Sequence, residues 1–113
     1  FLEALIEATK PGGFACISLW RFLTDDGLAA KAKASTTSGI AELGYSKEQF
    51  DEGDCLLGWK NEAGAYRYCH SFSDAEIEDL IETVSGSAHL LARFQADGRT
   101  GNLNEYLVFQ RNW

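Results

Sequence analysis

The sequence predicts an α/β fold made of a central strand, an inserted antiparallel hairpin, a capped helix and a terminal antiparallel strand pair. Three observations carry this expectation. The stretch "KPGGFACISLW" (10–20) runs from a helix tail through a proline–glycine turn into an almost unbroken apolar segment. The stretch "GDCLLGWKNEAGAYRYCHSF" (53–72) places two β-prone runs on either side of a polar turn at 61–64. Beyond it, a helical apolar period over 77–84 gives way to two further β-prone runs.

Each element has a local reason. Phe1, Leu2, Leu5 and Ile6 repeat at helical spacing with no N-cap residue before them, so a helix already under way is expected there. Pro11 ends it, because proline restricts its predecessor and breaks the hydrogen-bond ladder, while Gly12 and Gly13 can take positive φ cheaply. Phe14–Trp20 is apolar on both faces, the pattern of a parallel strand covered by helices on each side. Asp25 or Asp26 caps a short alanine-rich helix over 28–34, followed by a Ser/Thr/Gly loop at 35–39. Ser46 and Gln49 form a capping box for one short turn ending near Phe50. Ser73 and Glu76 form a second box, with Phe72 placed to staple onto Ile77 and with Ile77, Leu80, Ile81 and Val84 on one helical face. Strands over 89–94 and 106–110, joined by "ADGRTGNLN", close the chain as a hairpin.

Composition bounds the function classes. At 113 residues the chain makes at most one domain, able to bury roughly two-thirds of its unfolded surface if complete. The net charge of -7 argues against autonomous nucleic-acid binding, since phosphate affinity comes mainly from clustered Lys and Arg. No apolar stretch approaches the ~18 residues of a membrane span, and the N-terminus lacks the zones of a signal peptide. A cytoplasmic protein without a membrane partner is expected. Cys16, Cys55 and Cys69 are odd in number, widely spaced and without a CxxC pair, which reads as small packing residues rather than a metal or redox site.

The ordered set of "KPGGFACISLW", "GDCLLGW", "RYCHSF" before a capped helix, and "GNLNEYLVFQR" resembles the C-terminal half of a class I S-adenosylmethionine-dependent methyltransferase. The first stretch is similar to the L-K-P-G-G turn that this Rossmann-like family places before its fifth strand. The later blocks resemble the branch of wobble-uridine tRNA carboxymethyl methyltransferases, whose equivalent block reads R-Y-Y-H. The resemblance implies that residues 1–113 are the C-terminal portion of a single methyltransferase domain, with the cofactor-binding half missing. It implies S-adenosylmethionine as cofactor of the intact enzyme and no cofactor for this segment, because the family's glycine-rich turn and acidic strand end are not in the sequence. The glycines after Asp97 lead into a strand and offer no helix N-terminus. The Phe14–Trp20 strand, deprived of partners on one side, is expected to leave an apolar edge that promotes association.

On that fold an acceptor pocket is expected beyond the carboxyl ends of the strands, with the strand after the capped helix parallel to Phe14–Trp20. Trp20, Asp54, Trp59, Arg67, Tyr68, Arg99 and Asn102 are the candidate acceptor-binding residues, and His70 is the candidate general base. A carboxylate acceptor is already ionised near neutral pH and would need only a bidentate Arg67 or Arg99. A hydroxyl or amine acceptor would need His70. Trp20, Trp59, Tyr66 and Tyr68 could stack on a planar base. Each has a structural alternative: His70 as a satisfied strand-end residue, Arg67 as a surface ion pair, the aromatics as hairpin packing, Asp54 as a turn former. His89 reads as an edge-strand residue. The acceptor is a small molecule or tRNA. Two other readings stay open, a non-catalytic methyltransferase-like binding module or partner subunit, and a free-standing α+β interaction domain.

Overall fold

The computed structural model describes residues 1–60 and 62–113. They form two compact units, one from Phe1–Trp20 with Phe72–Trp113 and one from Arg21–Ser71.

The first unit is a three-stranded antiparallel sheet with two helices. Its elements are α1 (Leu2–Ala8), β1 (Phe14–Trp20), α3 (Asp74–Thr83), β4 (Ala88–Ala96) and β5 (Asn104–Arg111), in the strand order β1-β5-β4. Because β1 and β4 both run antiparallel to β5, they run parallel to each other, as the sequence leads one to expect. The core forms where Leu2 and Ile6 of α1 and Ile77 of α3 meet Ala15, Ile17 and Leu19 of β1 and Leu107 and Phe109 of β5. Leu107 and Phe109 are fully buried, which makes β5 the centre of the sheet. β1 pairs along one edge only among the described residues and turns Phe14, Cys16 and Ser18 outward on its second face. Its apolar character on both faces therefore does not correspond to cover on both faces within this chain.

The capping box at α3 is as the sequence reads: Ser73 Oγ accepts from Glu76 N–H at 3.2 Å and Glu76 Oε1 from Ser73 N–H at 3.0 Å. α1 has no side-chain N-cap, and its carboxyl end is closed from far along the chain. Arg111 Nη1 donates to the carbonyls of Glu7, at 2.7 Å, and Thr9, at 2.5 Å. In the turn that follows, Gly12 takes a φ of 75° against the Trp113 ring, where a Cβ would lie 2.4 Å from a ring carbon. Gly13 keeps a negative φ.

The second unit packs α2 (Asp26–Leu43) on the hairpin of β2 (Asp54–Gly58) and β3 (Tyr66–His70). A 3₁₀ turn, Phe22–Thr24, precedes α2. Asp25 is the N-cap, its Oδ1 accepting from Leu28 N–H at 2.8 Å. The helix is longer than the sequence suggests. The Ser/Thr/Gly run at 35–39, expected as a loop, continues α2 to Leu43 and a left-handed Gly44 cap. Thr36 and Thr37 donate their hydroxyls back to the carbonyls of Ala32 and Lys33, at 2.6 and 3.0 Å, which satisfies them inside the helix at a small cost in its stability. Gly39 supplies contact rather than flexibility: a Cβ there would stand 2.9 Å from Leu56 Cδ1, so the hairpin closes onto the helix only over a residue without a side chain. The short turn after Ser46 is a 3₁₀ segment, Lys47–Gln49, with Ser46 N–H donating to Gln49 Oε1 at 2.8 Å. The hairpin turn was expected at 61–64, of which Asn61 lies outside the described residues.

Candidate functional site

The register of the β2–β3 hairpin brings three of the sequence-predicted residues together. Asp54 pairs with His70 across the strands, and Tyr68 lies two residues back on the same face. Asp54 Oδ1 is 2.6 Å from His70 Nδ1 and accepts from the Tyr68 hydroxyl, also at 2.6 Å. Its Oδ2 accepts from Asp51 N–H at 2.9 Å. Burial alone would raise the Asp54 carboxyl, but the Tyr68 hydroxyl, the His70 ring and the Asp51 N–H together hold it below the usual carboxylate range. The same carboxylate holds the Tyr68 proton, with its phenol pushed up to about 12. An ionised carboxylate can only accept, so Nδ1 of His70 carries the proton and donates.

The backbone is shaped around this ring. Gly53, with a φ of 92°, lets the chain pass so close that a Cβ would lie 2.5 Å from the Ser71 carbonyl oxygen and 2.9 Å from His70 Cε1. Ser71 is buried; its N–H donates to the Gly53 carbonyl at 2.9 Å and its Oγ accepts from Leu23 N–H at 3.1 Å.

Asp54 also lines a groove of about 540 Å³ between α2, the Lys47–Gln49 turn and β2. Leu23, Ile40, Phe50 and Cys55 give it an apolar wall, and its charged lining combines Lys33 and Lys47 with Asp51, Glu52 and Asp54. The groove is a feature that sequence reasoning missed, because it depends on α2 running on through 35–39 to present Thr36, Thr37 and Ile40 to β2.

Two other candidates meet each other instead. The Arg67 guanidinium lies 5.2 Å from the centroid of the Trp59 ring, with Lys60 Nζ at 5.4 Å from the same ring. Tyr66, named as a stacking residue, gives its hydroxyl to Glu42 Oε2 of α2 at 2.9 Å, which assigns it to packing.

The remaining candidates belong to the first unit. Trp20 ends β1 half-buried, and its carbonyl accepts from Phe72 N–H at 2.9 Å. Arg99 is exposed in the loop between β4 and β5, and the neighbouring Asn102 takes a hydrogen bond from Thr100 Oγ1. That loop is organised by Asp97, a non-glycine residue at a φ of 71°, whose carboxylate accepts from Asn104 Nδ2 at 2.9 Å and from the Tyr106 hydroxyl. The Tyr106 hydrogen bond leads in holding Asp97 below the usual carboxylate range. His89 is exposed on β4, a border strand.

No protein-family model matches the chain, and no curated protein matches it in sequence. Among solved structures, a SAM-dependent methyltransferase from Methanosarcina mazei is similar, with a TM-score of 0.59 at 14% sequence identity. The likeness takes in 98% of this chain and 49% of that one. The α/β fold is similar to that of part of this methyltransferase. The chain thus spans about half the length of the methyltransferase it resembles.

The described elements offer S-adenosylmethionine no glycine-rich turn that opens a helix. The loop carrying Gly98 and Gly101 leads into β5, not into a helix. The two helices that follow strands have N-termini already closed by side chains, α2 by Asp25 and α3 by the Ser73–Glu76 box. Among the described residues no cluster of three or more His, Cys, Asp and Glu side chains is placed to hold a metal ion, and no helix is long and apolar enough to cross a membrane.

Proposed function

We propose that this chain supplies the acceptor side of a SAM-dependent methyltransferase, with His70 as the group that takes a proton from the acceptor. The observation that carries the proposal is the 2.6 Å contact between Asp54 Oδ1 and His70 Nδ1, in a fold shared with half of a methyltransferase. Methyl transfer asks a protein to align a nucleophile and exclude water, and an acceptor that loses a proton also needs a base. An imidazole held by a carboxylate is a side chain of the kind that takes such a proton. A hydroxyl acceptor uses such a base and a carboxylate acceptor does not, so the Asp54–His70 pair favours the hydroxyl. Arg67 over Trp59 is better suited to stacking against a planar acceptor than to a bidentate carboxylate clamp. The donor would be bound by elements other than those described, in the cytoplasm, and a carboxymethylated wobble uridine of tRNA, being a carboxylate acceptor, is the alternative that would not use His70.

The test is transfer from labelled S-adenosylmethionine by the protein of the full reading frame, offered bulk tRNA, small hydroxy compounds and small carboxylates in parallel. Labelled product with a hydroxyl acceptor, and a rate lowered about 10²–10⁴-fold by His70→Gln, is the expected result. Equal turnover by His70→Gln refutes the base, and label in the carboxylates alone refutes the acceptor class. Retention of S-adenosylhomocysteine by the 113-residue chain alone, measured by calorimetry, would overturn the assignment to the acceptor side.

A further inference from the structure

Next to Asp54 and His70 stand two cysteines that the sequence reading treats as packing residues. Cys55 and Cys69 occupy one register position, directly opposite each other across β2 and β3. Directly opposed residues of an antiparallel pair project from the same face of the sheet. The hydrogen-bond phase fixes which kind of pair they make. Ser71 N–H donates to the Gly53 carbonyl at 2.9 Å and Trp59 N–H to the Ala65 carbonyl at 3.0 Å, so the pairs that include Gly53 and Trp59 are hydrogen-bonded ones. Cys55 lies two residues from Gly53 and shares its phase. A hydrogen-bonded pair separates its Cα atoms by about 5.5 Å, within the roughly 4.4–6.8 Å that a disulfide spans, while its Cβ atoms, up to about 5.5 Å apart, must draw in by about 1 Å to reach the roughly 3.5–4.5 Å of the closed bond. Both thiols are free, with Cys55 buried and Cys69 partly exposed, which gives an outside reagent a way in at Cys69 and a resolving partner behind it. Burial pushes both thiols up from their ordinary range, Arg67 partly offsetting this at Cys69, so that exchange should be slow near neutral pH and quicken in mild alkali.

We infer that Cys55 and Cys69 are a dithiol modification site, oxidised by small-molecule disulfides to a cross-strand disulfide beside the Asp54–His70 pair. The Cys69 thiolate attacks one sulfur of the reagent, forms a mixed disulfide and expels one small thiolate. The Cys55 thiolate then attacks the Cys69 sulfur and expels the second. Two electrons pass from the cysteines to the reagent, which ends as two thiols carrying the two protons that the cysteines lose. The resulting link fixes the register that sets Asp54 against His70. It does not depend on methyl transfer, because the readout is the state of the thiols.

The experiment incubates the folded chain with oxidised glutathione, traps the remaining thiols with an alkylating agent and maps the peptides by mass spectrometry. Cys16, exposed on β1, is removed in a parallel Cys16→Ser sample so that its own mixed disulfide does not confuse the count. The expected result is a peptide linking Cys55 to Cys69, formed without glutathione retained and reopened by dithiothreitol. In Cys55→Ser the mixed disulfide on Cys69 should accumulate, because no thiol resolves it. In Cys69→Ser, Cys55 should stay reduced. A wild-type chain that holds glutathione on Cys69 without closing, or that leaves both thiols alkylated, overturns the inference. So does a linked peptide obtained only after denaturation.

Discussion

Asp54 and His70 face each other across the hairpin with 2.6 Å between Oδ1 and Nδ1, and the same carboxylate oxygen takes the Tyr68 hydroxyl. One acid therefore sets the protonation of two neighbours. Replacing it, as Asp54→Asn, should let the Tyr68 phenol titrate down from about 12 toward the ordinary ~10. Ultraviolet titration of phenolate absorbance checks this, with Tyr68→Phe identifying which transition belongs to Tyr68. An unmoved transition in Asp54→Asn refutes the coupling.

The same cluster gives the second unit a stability window with two edges. Tyr68 has a folded pKa raised above its unfolded value, so its contribution is complete below ~10 and is lost as pH rises toward about 12. Asp54 has a folded pKa lowered below the unfolded value, so its contribution is present above ~3.9 and disappears as pH falls through and below that range. Denaturant midpoints measured across pH should fall at both ends. Tyr68→Phe should flatten the alkaline edge and Asp54→Asn both edges.

Gly53→Ala should be costly out of proportion to one methyl group. The position combines a φ of 92° with a Cβ position 2.5 Å from a backbone oxygen, and neither the carbonyl nor the strand end can yield cheaply. The left-handed conformation alone costs roughly 1–2 kcal/mol for a residue with a Cβ. Urea unfolding should show a loss larger than that, and the His70 ring resonances should shift with it.

In the first unit, Phe109→Ala should lower stability by about 3–5 kcal/mol, since the ring is fully buried on the central strand. Ser73→Ala, which removes one arm of the capping box, should cost only about 1 kcal/mol. A core variant that cost no more than the cap would show that α1 and α3 do not close on the sheet as described.

The open border of β1 predicts concentration-dependent association. Phe14 is 66% exposed beside an edge with no strand partner among the described residues. Sedimentation velocity should find oligomers of the chain, and Phe14→Lys should shift them toward monomer. A monomer at all concentrations would refute the role of this border.

Where structure is dictated over three or four residues, the sequence displays it. The Ser73–Glu76 box, a cap at Asp25 or Asp26 and the turn closed by Gly13 N–H on the Lys10 carbonyl could each be read directly, because their partners lie within one turn of chain. The run at 35–39 misled for the opposite reason. Serine, threonine and glycine favour loops when nothing packs on them, but here Thr36 also accepts the Leu56 N–H at 3.0 Å and Gly39 admits Leu56, so tertiary contact overrides local preference. The candidate site was half legible. Asp54, Tyr68 and His70 could be named but not joined, since their meeting depends on strand register. The Cys55–Cys69 pairing was within reach, because both stand equally far from Glu62 in the hairpin turn and would pair once the turn is centred there. Arg67 and Trp59 could not be resolved between acceptor binding and mutual stacking, a choice made by rotamers rather than by spacing.

The register that pairs Phe14 with Gln110 sets an order of events during synthesis. When β1 leaves the ribosome, β5, its partner in this sheet among the described residues, has not been translated, and the Arg111 guanidinium that closes α1 lies 104 residues beyond Glu7. Residues 21–71 hold all the strands and the helix of their own unit and can settle while the rest is still emerging. The nascent chain must therefore keep the apolar β1 from misassociating until β5 emerges, an interval in which a chaperone has the most to cover.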